Sequence, residues 1–206
     1  MTESREKIRA KLFERFMENV TDLGWNRISL ERAALDLGLE AAMAHLMFPG
    51  GVAEIVDYFA GWSDQQLHKA IELENLGKLR VREKIYTCVK LRLEVNNKYR
   101  EAIRGLLSYL ILPQNATLGM RLAWRTASEI WYLSGDTSTD WNYYTKRGLL
   151  VSVYSTTLMY WLSDNPDEDG DYPQTWEFLN RRISDVLNTF SFPRKIRECL
   201  IDGGRS

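Results

Sequence analysis

Apolar residues recur at helical spacing along almost the whole chain, and this periodicity is the feature that most constrains the fold. One stripe runs through Ile8, Leu12, Phe16, Val20 and Leu23, and comparable stripes follow in later segments. Spacings of three and four residues place such side chains on one face of an α-helix. The five prolines fall between these stripes, and no Asn-Gly or Asp-Gly pair is flanked by alternating apolar residues. The sequence therefore predicts an all-α fold.

The stripes and the turn signals between them predict about nine helices. Their expected ranges are 3–22, 29–37, 40–47, 50–74, 78–98, 99–112, 116–134, 140–163 and 174–190. Short helices come first and long ones follow. We therefore expect an N-terminal unit at 1–48, a helical bundle at 49–192 and a tail at 193–206. A capping box between Ser63 and Gln66 would divide the fourth helix in two.

The longest uncharged run is GLLVSVYSTTLMYWLS, residues 148–163. It is too short and too polar to span a bilayer. A helix without charges on any side is typical of a buried helix. We therefore expect this segment to be buried on nearly all sides.

Residues 28–51 have the pattern of a helix-turn-helix. ISLERAALDLG (28–38) suits the first helix, with Ser29 as its N-cap and Gly38 as its stop. The expected reading helix, 39–48, has no Arg, Lys, Asn or Gln to contact bases. From residue 33 to 68 there are five acids and no Lys or Arg, which removes the usual phosphate contacts. We predict that this unit is a scaffold that does not bind nucleic acid.

Basic residues concentrate further along, at 78–104, which holds nine Lys or Arg against three Glu. Two interpretations fit this segment. It is either a bundle helix with a basic solvent face or a surface that attracts anionic lipid headgroups or an acidic partner.

The residue types that carry catalysis are scarce. His45 and His68 lie on separate segments and neither follows a Glu by three residues, which excludes a carboxylate-bridged di-iron bundle. The chain has no nucleophile elbow, P-loop or dinucleotide-binding fingerprint. Cys88 and Cys199 have no ligand-like spacing and suit core positions in a reducing compartment. The sequence predicts a protein that is not an enzyme and has no metal site.

Trp and Tyr are abundant after residue 120. Such rings fill a core, line a pocket for a weakly polar ligand, or form a protein interface. We predict an apolar pocket between residues 116–134 and 148–161, of about 300 Å³ or more. The residues expected to line it and bind lipid are Trp124, Leu150, Tyr154 and Leu158.

One 30-residue stretch, GDTSTDWNYYTKRGLLVSVYSTTLMYWLSD (135–164), carries a specific resemblance. It resembles the lipid-binding accessory proteins of ubiquinone biosynthesis, the family of the ninth coenzyme Q biosynthesis protein. Members carry a close version of Gly-Asp-x-Ser-Thr-Asp, an aromatic run, Tyr-Thr-Lys/Arg-Arg and an apolar helix. In this chain the motif runs from Gly135 to Arg147, and the stretch from Asp171 to Arg182 also fits.

This resemblance implies a tetracycline-repressor-like (TetR-like) helical bundle whose N-terminal three-helix unit has lost DNA binding. It implies a non-catalytic accessory protein, without a cofactor of its own, that holds a lipid or isoprenoid quinone precursor. The protein would present this precursor to the di-iron hydroxylase of the pathway. The expected hydroxylase surface lies at the start of the 140–163 helix and comprises Trp131, Asp140, Tyr143, Tyr144 and Arg147.

Other partners and functions are compatible with the same sequence. The sequence is compatible with peripheral contact with a membrane and with a homodimer. The expected compartment is the cytoplasm, with or without contact to the inner face of the membrane, in a bacterium, or the mitochondrial matrix in a eukaryote. The alternatives are a ligand-responsive TetR-like transcription regulator, which the acidic segment 33–68 disfavours, and a helical interaction module, which the aromatic excess disfavours.

Overall fold

The computed structural model describes residues 2–74, 76–135 and 141–189, and within these ranges it contains nine α-helices and no β-strand. The helices are α1 (Thr2–Leu23), α2 (Arg27–Asp36), α3 (Ala41–Met47), α4 (Gly51–Glu72), α5 (Val81–Val95), α6 (Arg100–Leu110), α7 (Ala116–Leu133), α8 (Trp141–Ser163) and α9 (Pro173–Thr189). Single turns of 3₁₀-helix occupy Leu76–Lys78, Asn97–Tyr99 and Pro113–Asn115. The predicted all-α fold is confirmed, and every predicted helix has a counterpart.

The chain forms two compact units, each discontinuous in sequence. Unit 1 comprises residues 1–63 and 98–120, and unit 2 comprises residues 64–97 and 121–206. The sequence did not indicate that α6 packs with the N-terminal helices, where it contacts α1. The division of the chain into an N-terminal unit at 1–48, a bundle at 49–192 and a tail at 193–206 stays a prediction.

Unit 1 has an aromatic core. Phe13, Phe16 and Phe48 are almost fully buried, and the Trp25 ring packs edge-on against Phe16 at 5.3 Å between centroids. The Trp25 indole N–H donates a hydrogen bond of 2.8 Å to the backbone oxygen of Ala102 in α6. This bond fixes α6 against the N-terminal helices and satisfies a buried indole.

The start of α2 differs from the prediction, and its end agrees with it. Asn26, not Ser29, is the N-cap, because its side-chain oxygen accepts the Ser29 backbone N–H at 3.1 Å. Ser29 is fully buried one turn later and donates its hydroxyl to the backbone oxygen of Gly24. Gly38 has a φ of +71°, the left-handed conformation that ends a helix. Gly38 is thus confirmed as the stop.

Helix α4 is continuous from Gly51 to Glu72, so the predicted break at Ser63 is wrong. Ser63 lies in the middle of the helix, where its backbone N–H already has an intrahelical acceptor and needs no cap.

Unit 2 is held by an apolar core and one largely buried ion-pair network. The core residues come from the end of α4, the 76–78 turn and helices α5, α7, α8 and α9: Leu67, Leu76, Ile85, Cys88, Val89, Ala127, Ile130, Trp131, Leu150, Val153, Leu179 and Ile183. Beside this core, the Asp64 carboxylate pairs with the buried guanidinium of Arg92 and, at 2.6 Å, with that of Arg125. Removing one partner of a buried pair is strongly destabilising, so Asp64 joins α4 to α5 and α7.

Helix α8 is not buried on nearly all sides, and this prediction is wrong. One face is exposed along its length and carries Tyr144, Gly148, Ser152, Thr156 and Met159. Its middle carries small hydroxyl residues that can form hydrogen bonds within the helix, as when the Thr156 hydroxyl donates to the Ser152 backbone oxygen at 2.8 Å. In the part of the chain that the structure describes, no helix is long and apolar enough to cross a membrane.

Candidate functional site

Helix α3, the second helix of the helix-turn-helix-like segment in unit 1, carries no Arg, Lys, Asn or Gln side chain to read bases. Helix α3 exposes Ala42 and Leu46. His45 is partly exposed and lies 2.8 Å from the Glu31 carboxylate. The hydrogen bond from Arg27 lowers the pKa of the Glu31 carboxyl most, and the hydrogen bond with His45 lowers it further.

The acids of residues 33–68 are largely paired, which the summed charge did not reveal. Asp36 pairs with Arg15 at 3.0 Å and Arg32 at 2.8 Å, and Glu54 pairs with Arg9 at 3.1 Å. Because cations lie beside these acids, the acids repel DNA less than their number indicates. The uncharged surface of α3 still disfavours DNA binding, and its absence stays a prediction.

The basic segment 78–104 is not one continuous basic face. Arg92 is buried against Asp64, and Lys90 pairs with Glu94 at 3.6 Å. Arg104 pairs with Glu101 at 3.1 Å, and the Lys98 ammonium lies over the ring of Tyr99. Its cations are thus divided among several local contacts.

At the start of α8, one exposed ring is supported by two neighbours. The Tyr144 side chain is 61% exposed. Its ring lies 5.2 Å from that of Tyr143, in an edge-on arrangement, and 6.2 Å from that of Trp124 in α7. Contacts of this kind hold a large side chain in place without covering it.

The two cations of the motif, Lys146 and Arg147, each lie over an aromatic ring. Arg147 is 5% exposed, and its guanidinium carbon lies 3.3 Å from the centroid of the Tyr143 ring. The same side chain donates to the Tyr143 backbone oxygen at 3.2 Å. Lys146 is also buried, and its ammonium lies 5.3 Å from the Trp131 ring.

Trp131 connects α7 to this turn. It is 5% exposed, and its indole N–H donates to the backbone oxygen of Lys146 at 2.9 Å. Burial makes Trp131 and Arg147 supports of the expected hydroxylase surface and places Tyr144 at its exposed part. Asp140 lies outside the described residues. Binding of the hydroxylase by this set stays a prediction.

The four residues expected to bind lipid occupy different surroundings. Leu150 is buried in the core of unit 2, and Tyr154 packs against that core while partly exposed. Trp124 and Leu158 are also partly exposed. Because Trp124 contacts Tyr144, the expected lipid site and the expected hydroxylase surface adjoin. An apolar pocket lined by these four residues stays a prediction.

Cys88 is the core residue that the sequence predicted. Burial raises the pKa of its thiol to about 11, so it is a thiol at neutral pH and a poor nucleophile. Cys199 lies outside the described residues. Within the described ranges, His, Cys, Asp and Glu side chains form no group that could hold a metal ion.

Sequence reasoning missed a groove between α5 and α9. It has a volume of about 530 Å³, and its lining includes Arg82, Tyr86, Thr87 and Trp176. The two helices are about 90 residues apart in sequence, so their contact was not readable from a local pattern. The only signals were the basic segment and the resemblance over residues 171–182.

The fold of the chain resembles that of a TetR regulator. It is similar to the crystal structure of the TetR transcriptional regulator from Nitrosomonas europaea, with a TM-score of 0.69. The superposition covers 87% of this chain and 98% of the regulator at 16% sequence identity. At that identity the similarity concerns the fold alone, and the predicted TetR-like fold is confirmed.

Sequence comparison identifies a family domain in the chain. Residues 116–189 match the model of the COQ9 family. The chain is 31% identical to the "Ubiquinone biosynthesis protein COQ9, mitochondrial" of Rattus norvegicus, over 98% of this chain and 66% of that protein. Identity to the Xenopus tropicalis protein of the same name is 32%, over 90% and 59%, and to that of Homo sapiens 28%, over 98% and 65%. The chain thus carries a COQ9-family domain, as the motif indicated, and spans about two thirds or less of these relatives' length.

Proposed function

We propose that this chain is a non-catalytic accessory protein of ubiquinone biosynthesis. In this proposal it binds a lipid or isoprenoid quinone precursor and presents it to the di-iron hydroxylase of the pathway. The COQ9-family domain at residues 116–189 and the names of the relatives support the role in ubiquinone biosynthesis. The relatives are named mitochondrial proteins, which favours the mitochondrial matrix for a eukaryotic chain and leaves the bacterial cytoplasm for a bacterial one.

The observation that carries the hydroxylase-binding part is the supported exposure of Tyr144. Its ring is 61% exposed while Trp124 and Tyr143 both contact it. A partner that covers this ring would gain a large contact area. It would lose little side-chain entropy, because the ring is already held. Aromatic anchors of this kind dominate the energetics of protein interfaces.

The position of Trp124 supports the coupling of lipid binding to hydroxylase binding. This ring is expected to line the lipid pocket and also contacts Tyr144. A ligand that moves Trp124 would therefore change the position of Tyr144. The proposal is that the loaded protein presents a different surface to the hydroxylase from that of the empty one.

The second candidate, a ligand-responsive regulator, has less support. A TetR-like regulator contacts DNA through the second helix of its helix-turn-helix, and here α3 exposes Ala42 and Leu46 where base-reading side chains would stand.

The test is the affinity of the purified di-iron hydroxylase for Tyr144→Ala. We expect this variant to bind about 30-fold more weakly, a loss of about 2 kcal/mol, because truncating a central aromatic anchor costs this much. Its melting temperature should stay close to that of the wild type, since an exposed ring contributes little to folding.

Tyr132→Ala is the matched control. Tyr132 is a tyrosine of unit 2 with similar exposure, 69%, but it lies outside the expected surface. Its variant should bind the hydroxylase as the wild type does. Equal affinity of wild type, Tyr144→Ala and Tyr132→Ala would remove the α8 start from the hydroxylase surface.

A further inference from the structure

The groove between α5 and α9 in unit 2 has the construction of a small binding site. Its volume of about 530 Å³ falls in the range of small-molecule pockets. Arg82 contacts Asn180 and Ser184, whereas Lys90, two turns later in α5, lies over the ring of Trp176. The two helices are therefore antiparallel along the groove, with a cation near each end.

Arg82 is held by neutral groups. Its Nη2 atom donates to the side-chain oxygen of Asn180 at 2.9 Å and to the hydroxyl of Ser184 at 2.7 Å. Both acceptors use the same nitrogen. Among the described residues, no acceptor bonds Nη1 or Nε of Arg82 and no carboxylate pairs with it. The guanidinium is thus oriented, charged and able to donate further hydrogen bonds, as recognition of a carboxylate or phosphate requires.

The remaining wall supplies hydroxyl donors and apolar surface. Within the described residues, the hydroxyls of Tyr86 and Thr87 have no hydrogen-bond partner. Partial burial raises the pKa of Tyr86, so this phenol stays protonated at neutral pH and can donate to an anion. Leu79 and the Trp176 indole line the groove as well and provide an apolar contact.

Two carboxylates restrict the charge of a ligand. Glu83 accepts the backbone N–H of Arg80 at 2.8 Å, and Glu177 accepts from Arg181 at 2.9 Å. Both line the groove, so a doubly charged anion would meet more repulsion than a singly charged one.

We propose that this groove binds a small amphiphilic monoanion, either a carboxylate or a phosphodiester. Its anionic group pairs with Arg82, and its apolar part lies along Leu79 and Trp176. The inference does not depend on the proposed function. The groove shares no residue with the expected lipid site at Trp124, Leu150, Tyr154 and Leu158, so either proposal can fail while the other stands.

The first experiment is calorimetric titration of the wild-type protein at low salt with octanoate. Three comparison ligands separate the contributions: octanol has the tail without the charge, octylammonium has the opposite charge, and acetate has the charge without the tail. Octanoate should bind about tenfold or more tightly than each of them, and more tightly than the dianion octyl phosphate. No binding of octanoate up to about 10 mM would overturn the proposal.

A second ligand distinguishes the two sources of such an anion. Dioctanoyl-phosphatidylglycerol carries a phosphodiester and is used below its micelle concentration. Tighter binding than octanoate assigns the groove to a phospholipid headgroup, and weaker binding assigns it to a free carboxylate.

Arg82→Gln is the variant that tests the anion contact. It should weaken octanoate binding about tenfold or more. The affinity of Arg82→Lys should fall between that of Arg82→Gln and that of the wild type, because Lys keeps the charge but loses the planar set of guanidinium donors. Arg182→Gln is the control, because it removes the same charge from α9 at an exposed residue that pairs with Asp185. It should bind octanoate within about twofold of the wild type.

The competing outcomes are distinct. A folded Arg82→Gln that binds octanoate as the wild type does would overturn the proposal. If that variant does not fold, the indole N–H signal of Trp176 in the wild-type NMR spectrum decides instead. A shift of this signal with octanoate supports the site, and an unchanged signal while octanoate binds elsewhere contradicts it.

Discussion

Helix α3 of unit 1 and the start of α8 in unit 2 treat charge in opposite ways. Helix α3 occupies the position of a reading helix and exposes Ala42 and Leu46, with no Lys or Arg. The start of α8 has two cations, Lys146 and Arg147, and buries both of them against aromatic rings. Helix α3 lacks the cations that are usual on a reading helix, and the start of α8 has cations that are buried from a partner.

This difference teaches that the position of a charge matters more than its presence for what a surface can bind. A cation buried over an aromatic ring loses hydration and recovers part of that cost from the ring and from hydrogen bonds. At the start of α8, Arg147 therefore stabilises Tyr143, which in turn contacts the exposed Tyr144. The cations of this motif maintain an aromatic surface and do not themselves form a basic one.

The largest expected effect comes from Trp131, the support of the α8 start. Trp131→Ala should lower the free energy of unfolding by about 3–5 kcal/mol, because it leaves a cavity and removes the donor to the Lys146 backbone oxygen. Urea denaturation measures this loss. Tyr132→Ala, at the exposed neighbouring position, should change stability by about 0.5 kcal/mol or less. Similar losses for both variants would show that Trp131 is not a buried support.

Arg147→Lys tests the stacking directly. The variant keeps a positive charge but loses the planar guanidinium that lies 3.3 Å from the Tyr143 centroid. We expect a loss of about 1–2 kcal/mol in the free energy of unfolding, the size of a desolvated cation–π contact. Unchanged stability would mean that any buried cation serves at this position.

Adding cations to α3 tests whether their lack explains the expected absence of DNA binding. The double variant Ala42→Lys with Leu46→Arg places two cations on exposed positions of this helix. The wild type should show no binding to mixed-sequence duplex below about 100 μM in fluorescence anisotropy at low salt. The variant should bind measurably, with a salt slope increased by up to about two, because each phosphate contact adds about 0.9. Micromolar, salt-dependent binding by the wild type would contradict the account of α3.

The smallest effect is a pH dependence at the acids of unit 1. A hydrogen bond from Asn19 and ion pairs with Arg15 and Arg32 hold the pKa of the Asp36 carboxyl below its ordinary value. A lowered pKa stabilises the fold above the ordinary carboxyl pKa and loses that effect as the pH falls through the folded value. The stability difference between wild type and Asp36→Asn should therefore be constant near neutral pH and shrink below about pH 4. A difference that grows on acidification would contradict this pairing.

The helix ranges were predictable from the sequence because periodicity and turn residues specify them locally. The errors occurred where a local pattern allowed two outcomes. Asn26 and Ser29 are both good capping residues, and only the structure shows that the first accepts the N–H of the second. The 148–163 run is uncharged without being apolar, and the hydroxyl of Thr156 bonds within its own helix and so tolerates exposure.

Candidate residues could be named from the sequence, but their arrangement could not. Tyr144 and Trp124 were assigned to two different sites, and their ring contact joins them across 20 positions of sequence. The partners of Arg82 lie 98 and 102 positions away, a separation at which no local periodicity applies. Contacts between distant helices depend on tertiary packing, which the sequence pattern constrains only through the apolar faces.

The central proposal is that the protein carries a lipid for the di-iron hydroxylase, and its most direct test is mass spectrometry of what the purified protein holds. The full chain is purified without detergent, extracted with organic solvent and compared with an unrelated helical protein from the same cells. The account predicts an isoprenoid or quinone-type lipid, near one equivalent per chain and absent from the control. An extract that contains no lipid beyond that of the control would contradict it.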